Sequence, residues 1–120
     1  MQVPPEVAPF LTWAQHTIHP RLNGALLNWY DGALGHCIWK HRDSRVHLVR
    51  DAPIVTICLG ESRPLRLRPW KGGRQRIDFQ GPHGTVFVMP YETNLVVTHE
   101  VPRRKAHVGR RISVTLRAFA

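Results

Sequence analysis

The triplet His41-Arg42-Asp43 combines the two side-chain types, imidazole and carboxylate, that bind non-haem iron. Positions i and i+2 of an extended segment point to the same face, so His41 and Asp43 can face one metal ion. A third ligand must come from elsewhere, and His99, after an apolar run, is the candidate. Two histidines and one carboxylate leave three coordination positions open for other ligands. These three residues predict a metal site, with a catalytic zinc as the competing metal; a surface turn at His41–Asp43 and a structural His99 are the alternative.

The alternation between Arg111 and Arg117 predicts a strand with one polar, cationic face and one apolar face. Its two terminal arginines lie about 20 Å apart at the rise of a strand, so they can hold opposite ends of a dicarboxylate only if their side chains converge. Guanidinium groups suit carboxylates because they form paired hydrogen bonds. Asn28 and Tyr30 share one face of another predicted strand and can also donate to carboxylate oxygens. The alternative interpretation places the polar face in water.

These residues need a scaffold, and a chain of 120 residues predicts one domain. A short N-terminal segment, residues 1–20, contains a predicted helix over Val7–Ile18, where apolar residues recur at helical spacing. Short β-favouring runs separated by turn residues follow from residue 21 to 120. The predicted strands are Ala25–Tyr30, Cys37–His41, Ile54–Leu59, Leu65–Arg68, Arg76–Phe79, Thr85–Met89, Leu95–Thr98 and Arg111–Ala118. One helix before seven or eight strands favours a mainly β barrel or sandwich, with Trp29 and Trp39 expected in its core.

The charge balance predicts an anionic partner. Lysine and arginine number 17 against 8 acidic residues, which gives a net charge of +9. Such an excess favours nucleic acid or an acidic small molecule, and a solvated basic surface is the alternative. Two cysteines without a Cys-x-x-Cys pair favour neither a structural zinc site nor a disulfide framework. We expect a cytoplasmic protein without a membrane partner, because we identify neither a signal peptide nor an apolar run long enough to span a bilayer.

Taken together and in order, these motifs resemble the AlkB family of iron(II)- and 2-oxoglutarate-dependent dioxygenases. The segment Leu22–Tyr30 resembles the family's F-N-x-x-L-x-N-x-Y strand, and His41-Arg-Asp43 stands in the H-x-D position. Residues 52–60 resemble the P-I-x-x-x-S-L-G strand, and 63–68 the R-x-F-x-x-R element. Residues 99–102 are similar to the distal H-x-V/L-P motif, and 111–117 to R-x-x-L-T-F-R. The likeness runs from about residue 22 to 119.

The resemblance implies a double-stranded β-helix, or jelly-roll, that binds iron(II), 2-oxoglutarate and dioxygen. It implies that His41, Asp43 and His99 bind the iron and form the catalytic centre. The 2-oxoglutarate pocket would contain Asn28, Tyr30, Arg111, Ser113, Thr115 and Arg117, the two arginines holding its carboxylates. The implied reaction is oxidative N-demethylation of alkylated nucleic-acid bases, which releases formaldehyde and succinate. The implied partner is methylated single-stranded DNA or RNA, acted on by a monomer.

This chain departs from the family's pattern in the parts that would contact the substrate. Many members carry acidic residues just after H-x-D, whereas Ser44 and Arg45 stand here. Few residues precede Leu22, so the family's N-terminal lid is expected to be missing and single strands to be easier substrates than duplex. Candidate substrate contacts are Ser44, Arg45, His47, Arg63 and Trp70. Two alternatives stay open: the same iron chemistry on a protein or small molecule, and a non-catalytic, basic module that binds nucleic acid.

Overall fold

Eight β-strands and two short α-helices make up residues 3–120, the part of the chain that this computed structural model describes. A single turn of 3-10 helix, Gly32–Leu34, follows the first strand. The elements in chain order are α1 (Ala8–Thr17), β1 (Gly24–Asp31), β2 (Ile38–His41), β3 (Ile54–Gly60), β4 (Arg63–Pro69), β5 (Ile77–Gly81), β6 (Val86–Met89), α2 (Tyr91–Val96), β7 (Val97–Val101) and β8 (Arg110–Arg117).

The strands form two antiparallel four-stranded sheets. The first has the order β1-β8-β3-β6 and the second the order β2-β7-β4-β5. Sequence neighbours often lie in different sheets, so the chain crosses repeatedly from one sheet to the other, as it does in a jelly-roll. This arrangement confirms the prediction of a mainly β fold with a jelly-roll core and a short N-terminal helix.

The largest apolar cluster packs on the outer face of the first sheet. It joins Val7 and Ala14 of the α1 region to Val55 of β3 and to Val114 and Leu116 of β8. Burial of such side chains contributes about 1.5–3 kcal/mol each. Since the apolar face of β8 points outward to this cluster, its polar face points inward, between the two sheets. The polar face of β8 therefore lines the interior between the sheets and does not face bulk water, as the alternative interpretation had it.

Neither helix within residues 3–120 is long and apolar enough to cross a membrane. Helix α1 has Pro9 in its first turn, where proline is tolerated because the first amide groups need no partner within the helix. Helix α2 has six residues and begins after Pro90. It leads without a break into β7.

Two sequence-based predictions about elements are wrong. Leu95 and Val96 end α2 instead of beginning a strand, because a short apolar run fits a helix and a strand equally well. Trp29 and Trp39 do not lie in the core: Trp29 is 55% exposed and Trp39 77% exposed. Both belong to edge strands, β1 and β2, whose outer positions are incompletely covered. The other predicted strands overlap the observed ones within about two residues.

Candidate active site

Three predicted metal ligands come together at one end of the second sheet. His41 ends β2 and lies directly opposite His99 of β7 in the antiparallel ladder. Asp43 follows two residues after His41, just beyond the strand. Its Oδ1 atom lies 3.5 Å from Nε2 of His41 and 3.5 Å from Nε2 of His99. One candidate ligand atom from each residue lies within 4.8 Å of the others, which places all three around a single point.

A backbone hydrogen bond prepares one of the two imidazoles, that of His41, for metal binding. Nδ1 of His41 lies 2.8 Å from the carbonyl oxygen of Trp39, so a proton at Nδ1 leaves the lone pair of Nε2 free. The hydrogen bond to Asp43 raises the pKa of His41, and burial opposes this effect. Nδ1 of His99 is buried without a hydrogen-bond partner among residues 3–120. The set of two nitrogens and one carboxylate oxygen fits iron(II).

Arg117 fixes the carboxylate of Asp43. Its Nε atom donates to Oδ2 at 2.7 Å, while Oδ1 faces the two histidines. Burial alone would raise the pKa of Asp43, but hydrogen bonds from His41, His99 and Arg117 outweigh burial and hold the pKa far below its usual range. The carboxylate therefore stays ionised, which metal binding requires. Arg117 thus supports the metal ligands directly, a role that its sequence motif did not indicate.

A cavity of about 230 Å³ lies between the sheets, and His41 and His99 are among the residues that line it. The polar face of β8 lines one wall of it. Every residue predicted to bind 2-oxoglutarate lines this cavity: Asn28, Tyr30, Arg111, Ser113, Thr115 and Arg117. The two arginines of β8 therefore do converge on one space. Whether they hold a co-substrate there stays a prediction.

Arg111 is a buried cation without a carboxylate partner in the described chain. It is 2% exposed, and it donates to Tyr30 Oη at 2.9 Å and to Cys58 Sγ at 3.0 Å. Its Nε atom has no partner among residues 3–120. Tyr30 in turn donates to Ser113 Oγ at 3.4 Å. A buried, uncompensated charge is costly, so this pocket fits an anionic ligand such as a carboxylate.

The strand register explains how Arg111 reaches the interior. Tyr30 of β1 lies opposite Arg111 on one side, and Gly60 of β3 lies opposite it on the other. Gly60 has a φ of 91°, and a Cβ atom there would collide with the carbonyl oxygen of Arg110. Glycine therefore allows β3 to approach β8 closely at the position where the buried arginine is held.

Three of the five candidate substrate residues gather in an open groove beside Asp43. Ser44, Arg45 and Trp70 line this groove together with Arg42. The guanidinium of Arg42 stacks 3.5 Å from the centre of the Trp70 ring, which is 53% exposed. Cationic and aromatic groups are thus presented together within reach of the metal ligands. Arg42 was not among the residues singled out from the sequence, although it lies inside the H-x-D motif.

The other two candidate substrate residues lie outside the groove. His47 is exposed but is not part of its lining. Arg63 is 1% exposed and donates through Nη2 to the carbonyl oxygens of His36 and Pro102. Its burial argues against the predicted substrate contact and for a structural role, holding the loop before β2 to the end of β7. Arg63 precedes the predicted strand Leu65–Arg68, and its sequence context gave no indication of this burial.

Comparisons with known proteins agree with this geometry. The sequence profile of the 2OG-Fe(II) oxygenase superfamily matches residues 2–117. The chain is 30% identical over 102 residues to the DNA oxidative demethylase ALKBH2 of Mus musculus, covering 79% of this chain and 42% of that protein. It is 29% identical over 102 residues to the DNA oxidative demethylase ALKBH2 of Bos taurus, covering 79% and 36% respectively. The chain thus spans about two fifths of the length of these curated relatives.

The superfamily uses iron(II), 2-oxoglutarate and dioxygen, and the cluster of His41, Asp43 and His99 supplies the donor set for that metal. The profile match covers nearly the whole chain, and the relatives belong to the AlkB group. The chain therefore belongs to the AlkB family of 2OG-Fe(II) oxygenases.

Proposed function

We propose that this protein removes N-methyl groups oxidatively from alkylated bases of single-stranded DNA or RNA, and that it releases formaldehyde and succinate. The observation that carries the proposal is one cavity lined both by the buried Arg111 and by His41 and His99, the two histidines of the cluster that Asp43 completes. A metal site alone would fit many reactions. A metal site beside a buried cation without a carboxylate partner in the described chain fits a reaction that needs an acidic co-substrate.

Different residues would bind the metal ion and the co-substrate. His41, Asp43 and His99 would hold iron(II), and Arg117 keeps the carboxylate of Asp43 oriented toward them. Arg111, supported by Tyr30, would bind the distal carboxylate of 2-oxoglutarate. The remaining residues of the predicted pocket, which are Asn28, Ser113 and Thr115, would contact the rest of that molecule. Bound iron supplies the oxidising power with 2-oxoglutarate and dioxygen, and the protein supplies position and a shielded cavity.

The groove beside Asp43 supports a nucleic-acid substrate. Its Trp70 ring is 53% exposed although the Arg42 guanidinium covers one face, so an unpaired base could stack on the exposed part of the ring, and Arg45 adds positive charge for phosphates. The net charge of +9 favours the same partner. The two curated relatives are named as DNA demethylases. Single strands are proposed because the flipping of a base out of duplex costs energy that an open groove recovers poorly.

The test is turnover on short oligonucleotides that each carry one N-methylated base. The purified protein with iron(II), 2-oxoglutarate and ascorbate should release formaldehyde and succinate in equal amounts and restore the base. The unmethylated oligonucleotide and the His99→Ala variant are the controls, and neither should yield formaldehyde. Iron-loaded protein that turns over none of several methylated bases, in DNA or RNA, would contradict the proposal.

Ser44 and Arg45 favour a second candidate function, because they replace acidic residues that many family members carry after H-x-D. The same chemistry would then hydroxylate a protein or an acidic small molecule, and the product would gain one oxygen atom. A non-catalytic module would instead bind oligonucleotides equally well after His99→Ala and would consume no 2-oxoglutarate. A cytoplasmic location and a monomeric state stay predictions.

A further inference from the structure

One buried side chain of α2 holds the backbone of Asp43. Nδ2 of Asn94 donates to the carbonyl oxygen of Asp43 at 3.0 Å, and Oδ1 of Asn94 accepts from the amide of Asp43 at 3.0 Å. Asn94 is 2% exposed and is the buried residue of α2. Both backbone polar groups of the predicted metal ligand are therefore satisfied by a single amide group.

Asp43 needs this support because it lies outside the ladder of β2. The strand ends at His41, and residues 42–45 have no regular secondary structure. A side-chain amide carries a donor nitrogen and an acceptor oxygen side by side, so it can satisfy a backbone carbonyl and a backbone amide at once. A second bond joins the same two segments, since Nη1 of Arg42 donates to the carbonyl oxygen of Leu95 at 2.9 Å.

The position of Asn94 in the chain links two ligands. Helix α2 continues directly into β7, and His99 lies five residues after Asn94. The segment that carries His99 therefore also fixes the backbone of Asp43. Arg117 holds the side chain of Asp43 from the opposite sheet. Backbone and carboxylate are thus fixed separately, by Asn94 and by Arg117.

We propose that Asn94 is a positioning residue of the metal centre, which sets where the Asp43 carboxylate lies relative to His99. The amide does not touch the metal and acts only through the backbone of Asp43. Residues that orient metal ligands in this way typically change metal affinity by about 10–100-fold when they are removed. This inference rests on the family's metal site and is independent of the proposed nucleic-acid substrate.

The experiment measures the affinity for Mn(II) alone, from the electron paramagnetic resonance signal of the free ion, without 2-oxoglutarate or oligonucleotide. Asn94→Ala should bind Mn(II) about 10–100-fold more weakly than the unmodified protein. Asn94→Ser should bind with an affinity between the two, because serine is shorter and replaces the separate donor and acceptor atoms of the amide with a single oxygen. Glu92→Ala is the matched control, since Glu92 is exposed on the same helix, and it should bind like the unmodified protein.

Circular dichroism and thermal melting of the metal-free variants separate positioning from folding. A merely structural role would lower the melting temperature but leave the Mn(II) affinity of the folded protein unchanged. Folded Asn94→Ala with unchanged affinity would therefore overturn the proposal. If Asn94→Ala does not fold, the Mn(II) affinity of Asn94→Ser tests the proposal instead. An affinity equal to that of the unmodified protein would overturn the proposal. The absorption spectrum of bound Co(II) should also shift in either variant, because the geometry of the ligands changes.

Discussion

Replacing Arg111 by methionine should weaken binding of 2-oxoglutarate about 100-fold, while it stabilises the ligand-free protein. Methionine is apolar and flexible enough to fill a similar space. The guanidinium is 2% exposed and faces no carboxylate in the described chain, so its charge is compensated only when an anion binds. Two hydrogen bonds to a ligand carboxylate are worth about 1.5–3 kcal/mol each, and their loss removes at least about 3 kcal/mol. That free energy raises the dissociation constant about 100-fold.

The stability of the ligand-free protein should change in the opposite direction. Removal of an unpaired buried charge is favourable, although the bonds from Arg111 to Tyr30 and Cys58 are lost with it. A net gain of about 1 kcal/mol corresponds to a melting temperature about 4 °C higher in a domain of this size.

Two measurements on the same samples give both quantities. Thermal melting of the Mn(II)-loaded protein is recorded with increasing 2-oxoglutarate, and calorimetric titration gives the dissociation constant. Arg110→Met is the matched control, because the Arg110 side chain is exposed and makes only a long ion pair with Asp31. It should bind 2-oxoglutarate normally. Unchanged binding by Arg111→Met, or a much lower melting temperature of its ligand-free form, would show that the guanidinium has a structural role instead.

Three further predictions concern the groove, the core and an ion pair. Trp70→Ala should weaken binding of a single-stranded oligonucleotide by about 1–3 kcal/mol per stacked base in fluorescence anisotropy, whereas Trp13→Ala on α1 should leave it unchanged. Leu116→Ala should lower the free energy of unfolding by about 2–5 kcal/mol in urea titrations, because Leu116 is fully buried in the outer cluster. Asp78→Asn should lower the free energy of unfolding by about 2 kcal/mol, because Asp78 accepts two hydrogen bonds from Arg66. The hydrogen bond from Arg66 lowers the pKa of Asp78. The difference in free energy of unfolding between the variant and the unmodified protein should therefore be full above the ordinary pKa of aspartate and should shrink as the pH falls through the lowered pKa of Asp78. A difference that does not depend on pH would contradict this prediction.

The ligand set was predictable because each ligand is marked in the sequence. The spacing of His41 and Asp43 points their side chains the same way, and His99 lies three residues before Pro102, which follows the end of its strand. The alternation of β8 correctly separated its two faces. What the alternation could not show is which face points inward, because polar residues normally face water. Here the α1 region packs on the apolar face of β8, so the side chains of Arg111 and Arg117 point into the space between the two sheets.

The residues that support the site were not predictable, because they act through contacts between distant segments. Asn94 is separated from Asp43 by 51 positions and Arg117 by 74. Neither has a local pattern that would mark it as a partner of Asp43. The helical turn that carries Asn94 was itself missed, since the apolar run after it favoured a strand. Arg63 was a candidate substrate contact, and only the fold reveals its burial.

The central claim is that His41, Asp43 and His99 bind iron(II) in the same cavity in which Arg111 binds 2-oxoglutarate. An anaerobic titration of the protein with iron(II) and 2-oxoglutarate tests both halves together, because chelation of the metal by the co-substrate produces a weak visible charge-transfer band. We predict that the band saturates at one equivalent of iron, and that it is absent from His99→Ala and weakened in Arg111→Met. A folded, unmodified protein that shows no band at saturating iron(II) and 2-oxoglutarate would contradict the account.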